Sequence, residues 1–252
     1  MPVIPPPGGE VDWPASEGTL GVVGVAPWAT LEFCRELYER VRASKDWHFP
    51  RVLIDVNTKI PSRGRHLQLG EADPSEAIAA TIRQLAAEGA TVAVVICNTA
   101  HILYERWATG SPVPVLDIIE ETIVAAGASG AACVAPLVSA SLADRDLYGL
   151  RARARGLSCR ALPAGGQQLV ERLIESVKVS GSFGRAGETD LRALLGELAA
   201  SGVDTVVAGC TELSGVRRIA ASAGLRFVDS NAALAEAALR RLRMPPDRIR
   251  NG

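Results

Sequence analysis

Two cysteines in matching local sequences carry the clearest chemical signal in this chain. Cys97 lies in GATVAVVICNTA (89–100), and Cys210 lies in a similar later segment, SGVDTVVAGCTE (201–212). In each segment a glycine precedes an apolar run, which is followed by the cysteine and by a threonine within two residues. Two thiols with pKa values near the working pH can invert a carbon centre, one removing a proton while the other delivers one. The pair is therefore a candidate for two-base catalysis, and buried structural cysteines are the alternative.

Short apolar runs alternate with helical patterns along the chain. In 75–88 and in 191–200 the leucine and isoleucine residues recur at helical spacing. The runs that we predict to be strands are 20–25, 52–56, 91–96, 113–118, 131–135, 205–208 and 225–229. Strands that alternate with helices of this length predict βαβ units and parallel sheets, so the predicted fold class is α/β.

The spacing of the two cysteine segments indicates an internal duplication. Moving the first predicted strand, 20–25, by a similar offset brings it close to another predicted strand at 131–135. We therefore predict two pseudo-symmetric, doubly wound lobes, each with a central parallel sheet flanked by helices. The active site would lie in the cleft between them, because ligands bind at the carboxyl ends of parallel strands.

Cys97 directly follows a predicted strand and Cys210 follows one after a single glycine, which places both cysteines at those carboxyl ends. Thr99 and Thr211 are predicted to cap the helices that follow, and a helix N-terminus lowers the pKa of a nearby thiol. If the two lobes face each other about a pseudo-two-fold axis, the two thiols meet across the cleft. The remaining cysteines have no such match and are predicted to be structural: Cys34, Cys133 and Cys159.

Composition excludes several classes of protein. The 252 residues carry a formal net charge of −1, with 48% hydrophobic and 22% charged residues, which is typical of a globular protein without a nucleic-acid or membrane partner. No apolar run approaches the ~20 residues of a membrane span, and the N-terminus does not resemble a signal peptide. The cysteines are odd in number and unclustered, and the three histidines are scattered. We expect a cytoplasmic enzyme without a metal ion, acting on a small molecule.

Several segments resemble the aspartate/glutamate racemase family. CNTAH (97–101) and GCTEL (209–213) are similar to its two cysteine motifs, and GVVGVAPWAT (21–30) is similar to its opening strand and Gly/Pro loop. Two further segments resemble the aspartate racemase-like branch: NTKIPSRG (57–64), which supplies an arginine there, and IESVKVSG (174–181), which supplies a lysine. FVDSNAALAEAAL (227–239) resembles the strand and helix that close the fold.

The resemblance implies a cofactor-independent racemase of aspartate or glutamate, which is usually a homodimer. It implies a first lobe at 18–117 completed by a C-terminal helix at 229–245, and a second lobe at 118–228. Residues 1–17 are rich in proline and glycine and are predicted to form a disordered tail. By position Cys97 and Cys210 are the catalytic pair. The implied substrate-binding residues are Arg63 and Lys178 for the side-chain carboxylate, and Asn98, Thr99, Thr211 and Pro27 elsewhere on the substrate. Three further residues are candidates for tuning the thiols, with packing or helix capping as the alternative: Asp55, His101 and Glu212.

The chain departs from the family pattern at two places. Val25 and Ala26 replace the usual Gly-Met, and Pro136 stands where a threonine is usual, with Ser139 or Ser141 as its substitute. Other reactions on the same scaffold are therefore alternatives: hydantoin racemisation, maleate-type isomerisation or arylmalonate-type decarboxylation. A non-catalytic amino-acid-binding protein is a further alternative. Two retained cysteines argue against the decarboxylase and the binder, and two cationic residues argue against a hydantoin.

Overall fold

The described part of the chain contains seven strands in two separate parallel sheets. The computed structural model describes residues 18–250, and the tail predicted at 1–17 lies outside them. The strand order is β2-β1-β3 in the first sheet and β5-β4-β6-β7 in the second. The strands are β1 (Leu20–Gly24), β2 (Val52–Val56), β3 (Val92–Ile96), β4 (Cys133–Leu137), β5 (Ser158–Cys159), β6 (Thr205–Ala208) and β7 (Arg226–Asp229).

Helices connect and cover these strands. The α-helices are α1 (Pro27–Glu39), α2 (Arg63–Leu69), α3 (Ser75–Ala87), α4 (Tyr104–Ala108), α5 (Ile118–Ala128), α6 (Ala140–Ala143), α7 (Leu147–Ala154), α8 (Gly166–Ser180), α9 (Gly184–Ala200), α10 (Arg217–Ser222) and α11 (Ser230–Arg241). Short 3-10 helices span Asp46–His48, Thr99–Leu103, Thr211–Val216 and Pro246–Arg248. Within residues 18–250 no helix is both long enough and apolar enough to cross a membrane.

The duplication predicted from the cysteine segments appears in the strand positions. β1 begins at Leu20 and β4 at Cys133, while β3 begins at Val92 and β6 at Thr205. The offset along the chain is the same for both pairs of strands, and it equals the offset between Cys97 and Cys210. In the first sheet β1 lies beside β3 in parallel, and in the second sheet β4 lies beside β6 in parallel. The predicted α/β class with two similar parallel sheets is confirmed.

The strand predicted at 113–118 is wrong. Only Val115 forms a bridge, parallel to Ala93 of β3, and Ile118 already begins α5. Ala93 donates its N–H to the carbonyl of Pro114 and accepts from the N–H of Leu116. Pro114 has no N–H to donate, so this segment cannot extend its pairing into a regular strand.

The second sheet contains a strand that the sequence patterns did not predict. β5 has two residues and pairs with β4 only through Cys133 with Ser158 and Val134 with Cys159. The Val134 carbonyl accepts the N–H of Arg160, so Val134 faces β5 and, two residues on, Pro136 faces the same side. Because Pro136 has no N–H, the pairing ends there, and β5 is too short to leave a pattern.

A shared hydrophobic core joins the two sheets. It contains buried residues of both sheets and of two helices between them, including Leu20, Val22, Ile118, Ile123, Val134, Val207, Leu234 and Leu239. α11 packs against α1, α5 and β3, so the C-terminal helix returns to the first sheet. The shared core holds the two sheets in one relative position, which in turn sets the positions of the loops at their carboxyl ends.

Candidate active site

A cavity opens where the carboxyl ends of the two sheets meet. Cys97 directly follows β3, Cys210 follows β6 after one glycine, and both cysteines line this cavity. Its volume is about 150 Å³. That is smaller than the roughly 300–1,000 Å³ of sites for drug-sized ligands, so the cavity suits a small metabolite. Other lining residues come from the loop after β1, from the loop after β4 and from helices α2, α6 and α8, among them Val25, Ala26, Arg63, Ser139, Ser141 and Lys178.

Cys210 is a buried thiol with a carboxylate partner. Its side chain is 6% exposed, and its Sγ donates a hydrogen bond to Glu212 Oε2 at 3.0 Å. Thr211 Oγ1 donates to the same oxygen at 3.1 Å. Burial raises the pKa of Cys210, and the charge of Glu212 and its hydrogen bond raise it further. In this arrangement Cys210 is protonated and can serve as a proton donor.

Cys97 is more exposed than Cys210, and it is held through its backbone. Its carbonyl oxygen lies 2.8 Å from Nδ1 of His101. A carbonyl can only accept, so Nδ1 carries the proton. Burial lowers the pKa of His101, which keeps the ring neutral, and the ring stacks on Tyr104 and meets Trp107 edge-on. The predicted tuning residue thus supports the strand-end loop that carries Cys97.

Two cationic side chains reach the cavity from different sides of the cleft. Arg63 is the first residue of α2, whose N-terminus is set by Ser62, because the Ser62 side chain accepts the N–H of Arg65. Arg63 Nη1 donates to the carbonyls of Ile60 and Pro61 at 3.3 and 3.0 Å, which fixes the guanidinium against its own loop. Arg63 therefore enters the cavity as an anchored cation.

Lys178 lies in the last turn of α8, on the side of the second sheet. Desolvation in the cleft wall opposes its charge, but nearby acidic groups, above all Glu212, raise its pKa above the usual value. Its Nζ lies 3.6 Å from Glu175 Oε1. Lys178 is therefore positively charged at neutral pH and lies beside the buried acid of the Cys210 loop.

The residues next to the cysteines also line the cavity, but their side chains already have partners. Asn98 is buried, with Nδ2 2.9 Å from Ser230 Oγ and Oδ1 2.6 Å from Tyr148 Oη. Thr99 Oγ1 lies 2.9 Å from Ser139 Oγ, which also joins the loop after β4 to the Cys97 loop.

The prediction that Thr99 and Thr211 cap helices is wrong. Each is the first residue of a 3-10 helix, Thr99–Leu103 or Thr211–Val216, and the residue before it occupies the cap position without a side-chain cap bond. A capping side chain must precede the first helical residue in order to reach the free N–H groups of the first turn. These helices are also too short to provide the dipole of a long α-helix.

Two other candidates lie outside the cavity. Pro27 is the exposed first residue of α1, while its neighbours Val25 and Ala26 line the cleft. Asp55 lies within β2 and lines a separate depression with Gln84 and Glu88. Asp55 is separated from the cleft because β2 is an edge strand of the first sheet and because of its register within that strand. The sequence motif alone revealed neither feature.

Two acidic residues of α8 were missed by the sequence reasoning. Glu171 and Glu175 line the cavity with Lys178, on one face of the helix at spacings of four and three residues. Glu171 also accepts the N–H of Ala140, which ties α8 to the loop after β4. The spacing of these residues is visible in the sequence. Only the packing of α8 against the cleft shows that they line the cavity. Within residues 18–250 no group of three or more histidine, cysteine or acidic side chains is arranged to hold a metal ion.

The protein is of the α/β class, with two similar parallel sheets and a cavity between them that is lined by a cysteine from equivalent strand ends of each sheet. The sequence matches the model of the Asp/Glu/Hydantoin racemase family over residues 21–238. The chain belongs to this family, and the prediction of an amino-acid racemase, an isomerase, is thereby confirmed at the level of the family.

Solved structures share the fold at low sequence identity. An aspartate racemase from Picrophilus torridus aligns with a TM-score of 0.80 and 22% identity, covering 90% of this chain and 94% of that one. An aspartate racemase homologue from Pyrococcus horikoshii OT3 gives 0.72 and 19%, covering 90% and 99%. A glutamate racemase from Bacillus anthracis gives 0.64 and 13%, covering 93% and 85%.

Proposed function

We propose that this chain racemises an acidic amino acid, aspartate or glutamate or both, by proton transfer between two thiols and without a cofactor. The observation that carries the proposal is the placement of Cys97 and Cys210 in one cavity, at equivalent strand ends of the two sheets. Two bases of the same chemical type on opposite faces of Cα suit a reaction that runs in both directions.

In one direction, Cys97 as a thiolate removes the α-proton, and the electron pair of the C–H bond stays on the α-carbon. Cys210 then delivers its Sγ proton to the opposite face, where a new C–H bond forms. The protonation states of the two thiols are exchanged after turnover, so the enzyme is poised for the opposite enantiomer. The hydrogen bond from Cys210 to Glu212 supports this assignment, since it holds Cys210 as the protonated partner.

The cationic residues support a substrate with a second carboxylate. A negative charge in a small cavity is costly unless it is paired. Arg63 and Lys178 approach the cavity from the two sides of the cleft, and a guanidinium can bind a carboxylate with two parallel hydrogen bonds. A hydantoin has no such carboxylate and would leave both cations unused.

The α-carboxylate and ammonium groups would be bound by the loops that follow the cysteines. Thr99 and Thr211 line the cavity, and the side-chain amide of Asn98 is engaged elsewhere. We therefore assign backbone amides of these loops to the amino-acid backbone of the substrate. The hydroxyls of Thr99 and Thr211 already bond Ser139 and Glu212, but each can still accept a hydrogen bond from the ammonium group.

The direct test is racemisation by the purified protein. After dialysis against a chelator and without pyridoxal phosphate, the protein is incubated with single enantiomers of aspartate, glutamate, alanine and a 5-substituted hydantoin, and optical rotation is followed. Loss of rotation with the acidic amino acids is the expected result. Turnover of the hydantoin alone would overturn the substrate class, and recovery of activity only after metal or pyridoxal phosphate is added would overturn the cofactor-independent mechanism.

We also infer that the chain forms homodimers and works in the cytoplasm. α1 exposes apolar side chains on one face, with Trp28 at 49% and Leu31 at 61%, and monomers rarely expose large apolar patches. Two working thiols also require a reducing compartment. Light scattering after gel filtration is expected to give twice the chain mass, and Leu31→Glu is expected to give monomers. A monomeric wild-type protein would contradict the inference.

A further inference from the structure

We infer that Ser230 and Asn231, the first two residues of α11, position the two active-site loops relative to each other. This inference rests on the proposed two-thiol function. Ser230 contacts the loop that carries Cys97, and Asn231 contacts the loop that carries Cys210. Two adjacent residues on one helix thus reach both halves of the site, although neither lines the cavity.

The Cys97 loop is held through its neighbour Asn98. The Asn98 amide nitrogen donates to Ser230 Oγ at 2.9 Å, and its oxygen accepts the hydroxyl of Tyr148 at 2.6 Å. All three side chains are at most 2% exposed. Because Asn98 is bonded at both ends of its amide, the backbone beside Cys97 cannot shift without breaking buried hydrogen bonds.

The Cys210 loop is held through Thr211 and Ser214. Asn231 Nδ2 donates to the carbonyl of Thr211 and to Ser214 Oγ, both at 3.1 Å. Thr211 is the residue after Cys210, just as Asn98 is the residue after Cys97. The two contacts are therefore equivalent in position, one on each half of the duplicated fold.

These side chains are not needed to cap α11. Asp229 is the cap, and its Oδ1 accepts the N–H of Asn231 at 2.8 Å. The Ser230 and Asn231 side chains are left to contact the loops. α11 lies in the core that joins both sheets, through residues such as Leu234 and Leu239. The helix is therefore a common reference for both loops.

Tyr148 provides a second link between the loops. Its hydroxyl bonds Asn98, and its ring covers Gly209, where an added Cβ would lie 2.8 Å from Tyr148 Cε2. A glycine is required at 209 for this approach. Displacement of one cysteine loop is thus resisted by contacts that also hold the other.

The test separates the two loops by variant. Wild-type racemisation is measured first, because its absence would refute the proposed function and leave the positioning question to the thiol measurement below. Ser230→Ala and Asn231→Ala are each expected to lower kcat by about 10- to 100-fold with KM changed less than about threefold, since small misplacements of catalytic groups have effects of this size. Leu239→Met, on the same helix within the core, is the control and is expected to keep kcat within about twofold.

An isotope effect distinguishes positioning from loss of stability. With α-deuterated enantiomers, Asn231→Ala should raise the deuterium isotope effect on kcat/KM for the enantiomer whose proton goes to Cys210, and lower it for the other. Ser230→Ala should change the two effects in the opposite sense. A general structural defect would change both variants alike, and that result would overturn the inference.

Thiol reactivity gives a readout that does not depend on racemase activity. Cys97 and Cys210 lie in different tryptic peptides, 84–106 and 193–217, so their rates of alkylation by iodoacetamide can be followed separately by mass spectrometry. Asn231→Ala should change the rate of Cys210 more than that of Cys97, and Ser230→Ala should do the reverse. Equal changes in both peptides, or changes no larger than in Leu239→Met, would refute the positioning role.

Discussion

Replacing Arg63 by leucine tests the substrate class. The side chain lines the cavity, and Nη1 is anchored by the carbonyls of Ile60 and Pro61. Arg63 Nη2 makes no hydrogen bond with any of residues 18–250, so this nitrogen remains available to a carboxylate. Arg63→Leu removes the charge without removing the apolar part of the side chain. Turnover of aspartate and glutamate should fall, mainly through a higher KM.

The size of the effect follows from the kind of bond that is lost. A hydrogen bond between charged groups contributes about 1.5–3 kcal/mol, and each 1.4 kcal/mol is roughly tenfold in rate or affinity. Loss of one such bond therefore lowers kcat/KM by about 10- to 200-fold, and loss of a bidentate pair lowers it further, up to about 1,000-fold. Activity on alanine should not fall in parallel, because alanine has no second carboxylate.

The assay is optical rotation or circular dichroism of single enantiomers over a range of concentrations. Arg63→Lys keeps the charge but loses the planar fork, so its kcat/KM should lie between those of Arg63→Leu and the wild type. Arg106→Leu removes an exposed arginine that pairs with Asp73 away from the cavity, and serves as the surface control. If Arg63→Leu and Lys178→Met both leave turnover of aspartate and glutamate unchanged, the acidic substrate class is wrong.

Three further predictions concern the thiols and the support of α11. Cys97→Ala and Cys210→Ala should each abolish racemisation, and in deuterated water the two variants should exchange the α-proton of opposite enantiomers by NMR; near-normal racemisation by either would make that cysteine structural. Glu212→Gln removes the carboxylate charge that raises the pKa of Cys210, so the pH profile of Cys210 alkylation should move to lower pH, and an unchanged profile would contradict the assigned contact. Burial raises the pKa of Asp229 from 3.8 to about 6, so the folded protein binds more protons than the unfolded chain between these values, and the free energy of unfolding should fall as pH rises through this range. Asp229→Asn keeps an acceptor at the cap and should raise that free energy at pH 8 by up to about 3 kcal/mol in urea titrations, whereas at pH 3 the gain should vanish.

The amino-acid sequence by itself determined the α/β class and the duplication, and it singled out the two cysteines in matching segments. These features are local: apolar runs of strand length, helical spacing, and a motif that is repeated at a fixed offset along the chain. Strands β2 and β6 match their predicted bounds because each is a short apolar run, bounded by polar residues or glycine. The strand prediction at 113–118 failed because strand pairing depends on which backbone groups are available, and Pro114 has no N–H to donate.

Only the tertiary structure decided which polar residues belong to the site. Glu212 and His101 were both candidates beside a cysteine, yet Glu212 contacts the Cys210 thiol while His101 contacts the Cys97 backbone. The contact between Asn98 and Ser230 joins residues 132 positions apart, and no periodicity in the sequence encodes such a pair. Local patterns are set by the geometry of one helix or strand. The site depends on how the shared core orients two sheets and α11, which is a property of packing over the whole chain.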